Sequence, residues 1–238
     1  MKGAGAPRGV VAVVPAGGMG RRMNARLPKQ YLRLGGAPLL LRTLEALAAA
    51  PAVSGIVLVV PRERVAASRR LLVAHRARKI LAVVEGGVER QESVWLGLQA
   101  AGSPEWVLVH DAVRPFITPA LVARVLAAAA ATGAATCGLA VRETVKRVRD
   151  DLVETTLERA GLWLIQTPQA FRRELLWEAH DKARRDGYAG TDDAVLVERL
   201  GGRVSVVPGL PENLKITTPG DLRAARLWTG ARRPRTRR

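Results

Sequence analysis

Cysteine is almost absent from this 238-residue chain: Cys137 stands alone, which excludes an intrachain disulfide and a multi-cysteine metal site. Aromatic residues make up only 4%, too few for the stacking platforms on which single-stranded nucleic acid is held. No apolar run approaches the roughly 20 residues a bilayer span needs; the best, Ala120 to Ala131, is short and is broken by Arg124. Met1-Lys2 leads into glycine and alanine rather than a long apolar segment, so no signal peptide, no membrane association and a cytoplasmic protein are expected. Acidic residues are the last shortage. Twenty-one Asp and Glu against 38 Lys and Arg leave a net charge of +17, a field that draws polyanions from nucleic acid to phosphorylated metabolites. Five arginines fall in the last seven residues (Arg232, Arg233, Arg235, Arg237, Arg238), and residues 232–238 read as a basic, disordered tail. Most other arginines sit singly on helical patterns, as a solvated face does.

What is present is a regular alternation. Val10–Val14 is a continuous β-branched run, the mark of a strand buried on both faces. Similar runs recur at Gly55–Val60, Ile80–Val84, Trp106–Val109, Ala134–Val141 and Val204–Val207, with helical patterns at Pro38–Ala49, Arg64–His75, Gln91–Ala101 and Pro119–Thr132. Such a chain predicts an α/β fold: a Rossmann-like, doubly wound, mostly parallel sheet. One segment breaks the rhythm. Arg142–Arg159 alternates Val, Thr and charge about Asp150-Asp151, which predicts a polar β-hairpin arm. A two-stranded ribbon is at best marginally stable in water, so it needs a partner surface, and a second subunit is the natural one. Residues 1–231 therefore read as one domain, with residues 142–159 as a dimerisation arm.

Five segments carry chemistry. Pro15-Ala16-Gly17-Gly18-Met19-Gly20-Arg21-Arg22 follows the first strand, where doubly wound folds bind ligands and where glycines let backbone N–H groups surround an anion. It matches neither the dinucleotide fingerprint nor the P-loop, and an ordinary glycine-rich turn remains open, although the span from Pro15 to Gln30 is long for one. In His110-Asp111-Ala112-Val113-Arg114-Pro115, Asp111 suits Mg²⁺ held through one carboxylate, with phosphate and water completing the shell. Arg114 suits a bidentate phosphate contact; an Asp111–Arg114 salt bridge is the plainer reading, and His110, with no second ligand nearby, reads as structural. Gln166-Thr167-Pro168-Gln169 and Thr191-Asp192-Asp193 stand as punctuation, Thr191 suiting the cap of a helix that starts at Asp192. Lys215 lies in a strand-like stretch before a helix capped near Thr218, and there a solvated lysine is the plain alternative.

Read in order, V-P-A-x-G-x-G-x-R-M, P-K-Q-Y, G-G-x-x-R-x-x-S-V, H-D-A-x-R-P, Q-T-P-Q, T-D-D and N-x-K-I-T-x-P-x-D-L span about Val10 to Leu227. That series resembles the 2-C-methyl-D-erythritol 4-phosphate cytidylyltransferases of the non-mevalonate isoprenoid route. The resemblance implies transfer of a cytidylyl group from CTP to methylerythritol 4-phosphate with release of pyrophosphate, a divalent cation such as Mg²⁺, and a homodimer. It implies Arg22 and Lys29 as transition-state stabilisers, and Ala16, Gly17, Gly18, Gly87 and Ser93 as the nucleotide site. Asp111 would carry the metal. Arg159 and Lys215 would position the acceptor, with Ala112, Arg114, Thr144, Thr167 and Thr191 around it, Arg159 and Thr144 reaching the neighbouring subunit on the arm.

The implied reaction explains why no nucleophilic triad is visible. A phosphate monoester loses its second proton near pH 6, so the acceptor is already a nucleophile and catalysis reduces to positioning and charge stabilisation. Gly17 stands where a second Ala is frequent in that family, Val88 where an acidic or polar residue is, and Val113 where Ala is; an apolar Val88 offers the base no polar side-chain contact. Two rivals remain: a cytidylyltransferase for ribitol 5-phosphate or another polyol phosphate, and a basic nucleic-acid-binding protein. A specific nucleic-acid partner is not expected, and an oxidoreductase fails on the missing glycine fingerprint.

Overall fold

The computed structural model describes residues 7, 9–18 and 28–231. Strands β2 (Arg33–Leu34) and β3 (Ala37–Pro38) form a small hairpin of their own. The centre is a seven-stranded sheet built from β1 (Val10–Pro15), β4 (Val53–Val60), β5 (Ile80–Glu85), β6 (Trp106–Val109), β7 (Ala134–Ala140), β10 (Trp163–Arg172) and β11 (Val204–Pro208), in the order β11-β7-β10-β6-β1-β4-β5. All neighbours pair in parallel except β10, which runs antiparallel to both β6 and β7. The mostly parallel, doubly wound reading is therefore right, and each of the six strands and four helices of the predicted alternation lies within two residues of its place.

β1 shows why its sequence is apolar throughout. Val10, Ala12 and Val14 face a core layer with Leu40, Leu44 and Leu126, while Val11 and Val13 face a second layer with Val94, Leu98 and Leu176. Helices α1 (Leu39–Ala48), α2 (Val65–Ala74) and α4 (Pro119–Thr132) cover the first face. Helices α3 (Arg90–Ala100), α5 (Arg173–Arg185) and α6 (Ala194–Arg199) cover the second. Both faces being dry, each strand can be β-branched end to end. Helix α4 illustrates the local code: the Thr118 hydroxyl accepts from Leu121 N at 3.2 Å, Pro119 opens the first turn, and Gly133 closes it at φ 85°.

β10 and α5 have no counterpart in the sequence reading. The strand is polar and prolyl at its centre, Gln166-Thr167-Pro168-Gln169, and its pairing with β7 shifts register between Gln166 and Ala170. Two placements need correction. The stretch around Lys215 is irregular rather than a strand, joined to the β6 turn by Ile216 N donating to Val113 O at 3.0 Å. Helix α6 begins at Ala194, and its first turn is held by the Asp192 carboxylate accepting from Val195 N at 3.1 Å, not by Thr191. The last helix, α7 (Pro219–Ala231), is preceded by a reciprocal cap: Thr218 Oγ1 accepts from Asp221 N, and Asp221 accepts from Thr218 N.

The arm forms as read. Strands β8 (Val145–Arg149) and β9 (Leu152–Leu157) pair antiparallel as a separate sheet, and Asp150 and Asp151, at φ 48° and 62°, make the two-residue turn between them. Val148, Leu152 and Val153 on the ribbon are 54–73% exposed, and Leu164 and Ile165 at the start of β10 are exposed as well. The tail at 232–238 lies outside the described residues, as does Arg22.

Candidate active site

The order β6-β1-β4 places the reversal of strand order beside β1, the point at which open α/β sheets leave a crevice beyond the carboxyl ends of their strands. Ala16–Gly18 after β1, Gly86–Glu89 after β5 and His110–Arg114 after β6 all emerge there. They frame two adjoining cavities, of about 390 and 410 Å³. The first holds Ala16, Gly17, Gly18, Lys29, Gly87, Ser93 and Ala112; the second holds Arg114, Gln166, Thr167, Gln169, Thr191 and Asp192. Arg90, Asp111 and Lys215 line both.

The first cavity is a slot between glycines. Ala16 N donates to Val59 O at 2.7 Å, and the buried Gln30 amide donates to Ala16 O, which fixes the loop after β1. A Cβ on Gly86 would stand 2.7 Å from Ser93 Oγ and 3.0 Å from Val59 Cγ1, so no larger residue fits there. Ser93 Oγ donates to Gly87 O at 3.4 Å, and a Cβ on Gly18 would meet Lys29 Cε at 3.5 Å, so the lysine lies across the loop. Val88 is 94% exposed; its N–H is taken by Glu92 Oε2 at 2.9 Å, and its side chain offers nothing polar to the slot. Ala112, implied for the acceptor, lines this first cavity, its carbonyl held by Thr43 Oγ1 at 2.9 Å.

Where the cavities meet, Asp111 faces three cations: Arg90 Nε at 3.3 Å on one oxygen, Lys215 Nζ at 3.0 Å and Arg114 Nε at 3.4 Å on the other. Burial by itself would raise its pKa, but Arg90, Lys215 and Arg114 outweigh it and hold the carboxyl well below the usual range. The salt bridge and the cleft carboxylate are thus one and the same group. Lys215 is an ion-pair member rather than a solvated side chain.

Arg90 reaches further. Its Nη1 lies 2.8 Å from Asp193 Oδ2, and Asp193 Oδ1 lies 3.1 Å from Nε2 of the fully buried His180. Burial opposes charge on Arg90, yet Asp193 and Asp111 raise its pKa; the same pairing, against burial, lowers that of Asp193. A line Asp111–Arg90–Asp193–His180, buried except at the partly exposed Arg90, therefore runs from the cleft to α5. Sequence reasoning missed its last three members. Arg90 is the arginine of G-G-x-x-R-x-x-S-V and Asp193 ends T-D-D, so two signals were present; nothing in the sequence singles out His180.

In the second cavity Arg114 Nη1 donates to Asn213 O at 2.8 Å, and Asn213 Nδ2 donates to Thr167 O at 2.7 Å, tying together H-D-A-x-R-P, Q-T-P-Q and N-x-K-I-T. His110 is fully buried, its Nε2 3.1 Å from Arg114 O and its Nδ1 3.0 Å from Thr167 Oγ1. Burial, with the nearby Arg114 and Arg90 charges, pushes its pKa down to about 4. Thr191 is exposed at the rim. Arg159 and Thr144 are exposed on the arm and line neither cavity; the Arg159 guanidinium donates to Arg142 O within the same ribbon.

Comparison with known proteins agrees with this geometry. The family model described as IspD, 2-C-methyl-D-erythritol 4-phosphate cytidylyltransferase, matches residues 10–230. The enzyme of that name from Geobacillus thermodenitrificans is 48% identical over 212 residues, covering 89% of this chain and 92% of its own. Among solved structures, 4-diphosphocytidyl-2C-methyl-D-erythritol synthase from Anaerococcus prevotii superposes with a TM-score of 0.81 at 30% identity, over 94% of this chain and 96% of that one. The Thermus thermophilus 2-C-methyl-D-erythritol 4-phosphate cytidylyltransferase gives 0.75 at 35%, over 92% and 98%. The chain belongs to the 2-C-methyl-D-erythritol 4-phosphate cytidylyltransferase family and is a nucleotidyltransferase.

Proposed function

We propose that the two cavities are the two halves of a cytidylyl-transfer site, the first for CTP and the second for methylerythritol 4-phosphate, and that the family's reaction runs between them by in-line displacement. The observation that supports this is the junction: the only residues common to both cavities among the described lining are Arg90, Asp111 and Lys215, the groups that would surround a phosphoryl group in transfer. An oxygen of the acceptor phosphate forms a bond to the α-phosphorus while the bond to the β-phosphate oxygen breaks, and pyrophosphate leaves. The acceptor dianion needs no base. Lys29 and Lys215, with Arg22 outside the described residues, would stabilise the charge gathered on the equatorial oxygens. Ala16, Gly17, Gly18, Gly87 and Ser93 would hold the nucleotide, while Ala112, Arg114, Thr167 and Thr191 would shape its meeting with the acceptor.

A divalent cation such as Mg²⁺ suits this donor set. Asp111 is an ionised carboxylate at the junction, and no group of three or more His, Cys, Asp or Glu able to hold a metal occurs among the described residues, so phosphate oxygens and water would complete the shell. When bound, such an ion neutralises triphosphate charge. Lys215, half-exposed and paired with Asp111 at 3.0 Å, would reach that phosphate by leaving the carboxylate.

The working unit proposed is a homodimer of one cytidylyltransferase domain, residues 1–231, joined through the 142–159 arm, with Arg159 and Thr144 delivered to the neighbouring site. The exposed apolar side chains of the ribbon support that reading. No helix among the described residues is long and apolar enough to cross a membrane, and a cytoplasmic location with no specific nucleic-acid partner is proposed. The relatives named above give no support to ribitol 5-phosphate or to nucleic acid as the ligand. The test is to incubate the protein with CTP, Mg²⁺ and either methylerythritol 4-phosphate or ribitol 5-phosphate and follow pyrophosphate. Release with the first alone is expected; release with the second alone would replace the proposed acceptor.

A further inference from the structure

We infer that Ile216 is a positioning residue for the transfer: by filling a small apolar core apart from the two main layers, it pins the backbone from which Lys215 leaves. The inference deepens the reading of the cleft given above and rests on it, since it needs Lys215 to act at the transferring phosphoryl group.

Lys215 lies in neither a strand nor a helix. A lysine stem is flexible, so the reach of its ammonium is set by where its backbone stands. Here individual contacts must do what a hydrogen-bond ladder does in a strand. Before the lysine, Asn213 is fully buried: its N–H donates to Leu210 O at 3.0 Å, its carbonyl accepts from Arg114, and its side-chain amide donates to Thr167 O. After it, Ile216 N donates to Val113 O at 3.0 Å. Thr217 N and Oγ1 then both donate to Asp221 Oδ2, at 2.8 and 3.1 Å. Among residues 213–218, Ile216 is the one apolar side chain with no exposure.

The core that receives it is built from three pieces of chain: Leu34 and Leu39 from β2 and the start of α1, Phe116 after the β6 turn, and Leu222 with Ala225 from α7. None of these belongs to the layers on either face of the sheet. Trp228 packs against it, its ring 5.5 Å from that of Phe116 at 74°. The hairpin side is itself held, Leu39 N donating to Leu32 O at 2.9 Å and Arg42 Nη2 to Gly35 O at 2.6 Å. Ile216 and Lys215 thus serve different environments from adjacent positions. The isoleucine is sealed in this core, and the half-exposed lysine puts its ammonium 3.0 Å from Asp111 at the junction of the cavities. Ile216 lines neither cavity, nor does any residue of α7. Any effect of it on turnover is therefore transmitted, and Lys215 is the neighbour placed to transmit it.

The test is steady-state pyrophosphate release from CTP and methylerythritol 4-phosphate with Mg²⁺, together with melting temperature. The variants are Ile216→Ala, Ile216→Val, Lys215→Ala, the Lys215→Ala/Ile216→Ala double variant and Leu47→Ala. Leu47 is fully buried at the far end of α1, toward the amino ends of the strands, so its truncation supplies the effect of a core cavity alone. Ile216→Ala and Leu47→Ala should both melt below the wild type. Only Ile216→Ala should also lose kcat, by about 10–100-fold, the scale of a small misplacement of a reacting group, with KM for CTP and acceptor within about twofold. Ile216→Val, which loses a single methyl group, should recover most of that turnover. On the Lys215→Ala background, Ile216→Ala should cost less than about twofold more, because both changes remove the same contact. A kcat loss in Ile216→Ala no larger than that in Leu47→Ala, or one repeated in full without Lys215, would overturn the inference. Should Ile216→Ala fail to fold, Leu222→Ala opens the same core from α7 and decides alone: a kcat loss that disappears on the Lys215→Ala background supports the inference, and any other result overturns it. If the wild type releases no pyrophosphate from methylerythritol 4-phosphate, or Lys215→Ala turns over normally, the reading of the cleft has failed first, and the inference falls with it.

Discussion

Asp111 is the residue through which the rest of the cleft communicates, since removing its charge leaves Arg90 and Arg114 without their shared partner in a largely buried place. Asp111→Asn should therefore lower the melting temperature, as breaking a buried ion pair does, and also reduce turnover and raise the Mg²⁺ concentration needed for it. Thermal melts read beside a Mg²⁺ titration check both halves; a stability loss with intact, Mg²⁺-indifferent catalysis would leave only the structural role. Lys215→Ala should cost about 10²–10³-fold in kcat, the scale of one lost charge contact to a transition state, with the fold intact by circular dichroism; near wild-type turnover would remove it from the mechanism. The pH profile follows from the shifts. Asp111 and Asp193 have depressed folded pKa values, so their stabilisation is complete above the unfolded value near 4 and is lost only as pH falls through the still lower folded ones. His110 gains its proton only near pH 4. The acid limb of kcat/KM for the acceptor should thus lie near pH 6, where the substrate phosphate takes its proton; a limb near 4 would assign it to the protein instead. Residue types and order were enough to single out Lys29, Ser93, Asp111 and Lys215, which the fold brings to one cavity. They could not show that Arg90, Asp193 and His180 form one line, because Asp193 stands 13 residues from His180 and about 100 from Arg90, and only folding makes them neighbours.

At the scale of elements, legibility followed burial. Strands dry on both faces, such as β1 and β4, announce themselves as β-branched runs, and the arm announced itself through alternation about Asp150-Asp151. Strand β10 did not, because its middle carries groups that bind neighbouring loops: Gln166 holds Leu210 and Thr167 holds the turn after β6, both buried yet polar, so a hydrophobic pattern is missing where the structural work is done. Helix α3 shows a second hidden constraint. Gly97 reads as a weak point in a helix, but a Cβ there would stand 2.5 Å from Val13 Cγ1 and 2.8 Å from Val59 Cγ2. The glycine lets α3 lie close on β1 and β4, which brings Ser93, one turn earlier, beneath the slot. Gly97→Ala should therefore destabilise by about 1–3 kcal/mol through overpacking, despite the better helix propensity of alanine, and should raise KM for CTP more than it lowers kcat. Urea unfolding and CTP kinetics test the pair; a stabilised variant would mean that α3 has room to move outward.

For the molecule as a whole, the charge of +17 and the ribbon raise separate questions. Deleting residues 232–238 should leave kcat and KM for CTP within about twofold, because solvated charges beyond a Debye length of about 8 Å are screened at physiological salt; a large rise in KM would place the tail at the site. The arm matters more. It carries Arg159 and Thr144 away from the cleft of its own chain, and its apolar Val148, Leu152 and Val153 are uncovered, an arrangement that makes sense if a second copy covers the ribbon and receives the arginine. Complementation tests this directly. Arg159→Ala and Lys29→Ala homodimers should each be inactive. After subunit exchange in an equal mixture, half of the dimers are mixed, and each mixed dimer has one site lacking both side chains and one site complete. About a quarter of all sites should then recover, by the statistics of a two-fold dimer. If Arg159 instead serves its own chain, every site in a mixed dimer lacks one side chain and no activity returns. Exchange verified by tags of different mass, with turnover still absent, would overturn the shared site while leaving the cytidylyltransferase assignment in place.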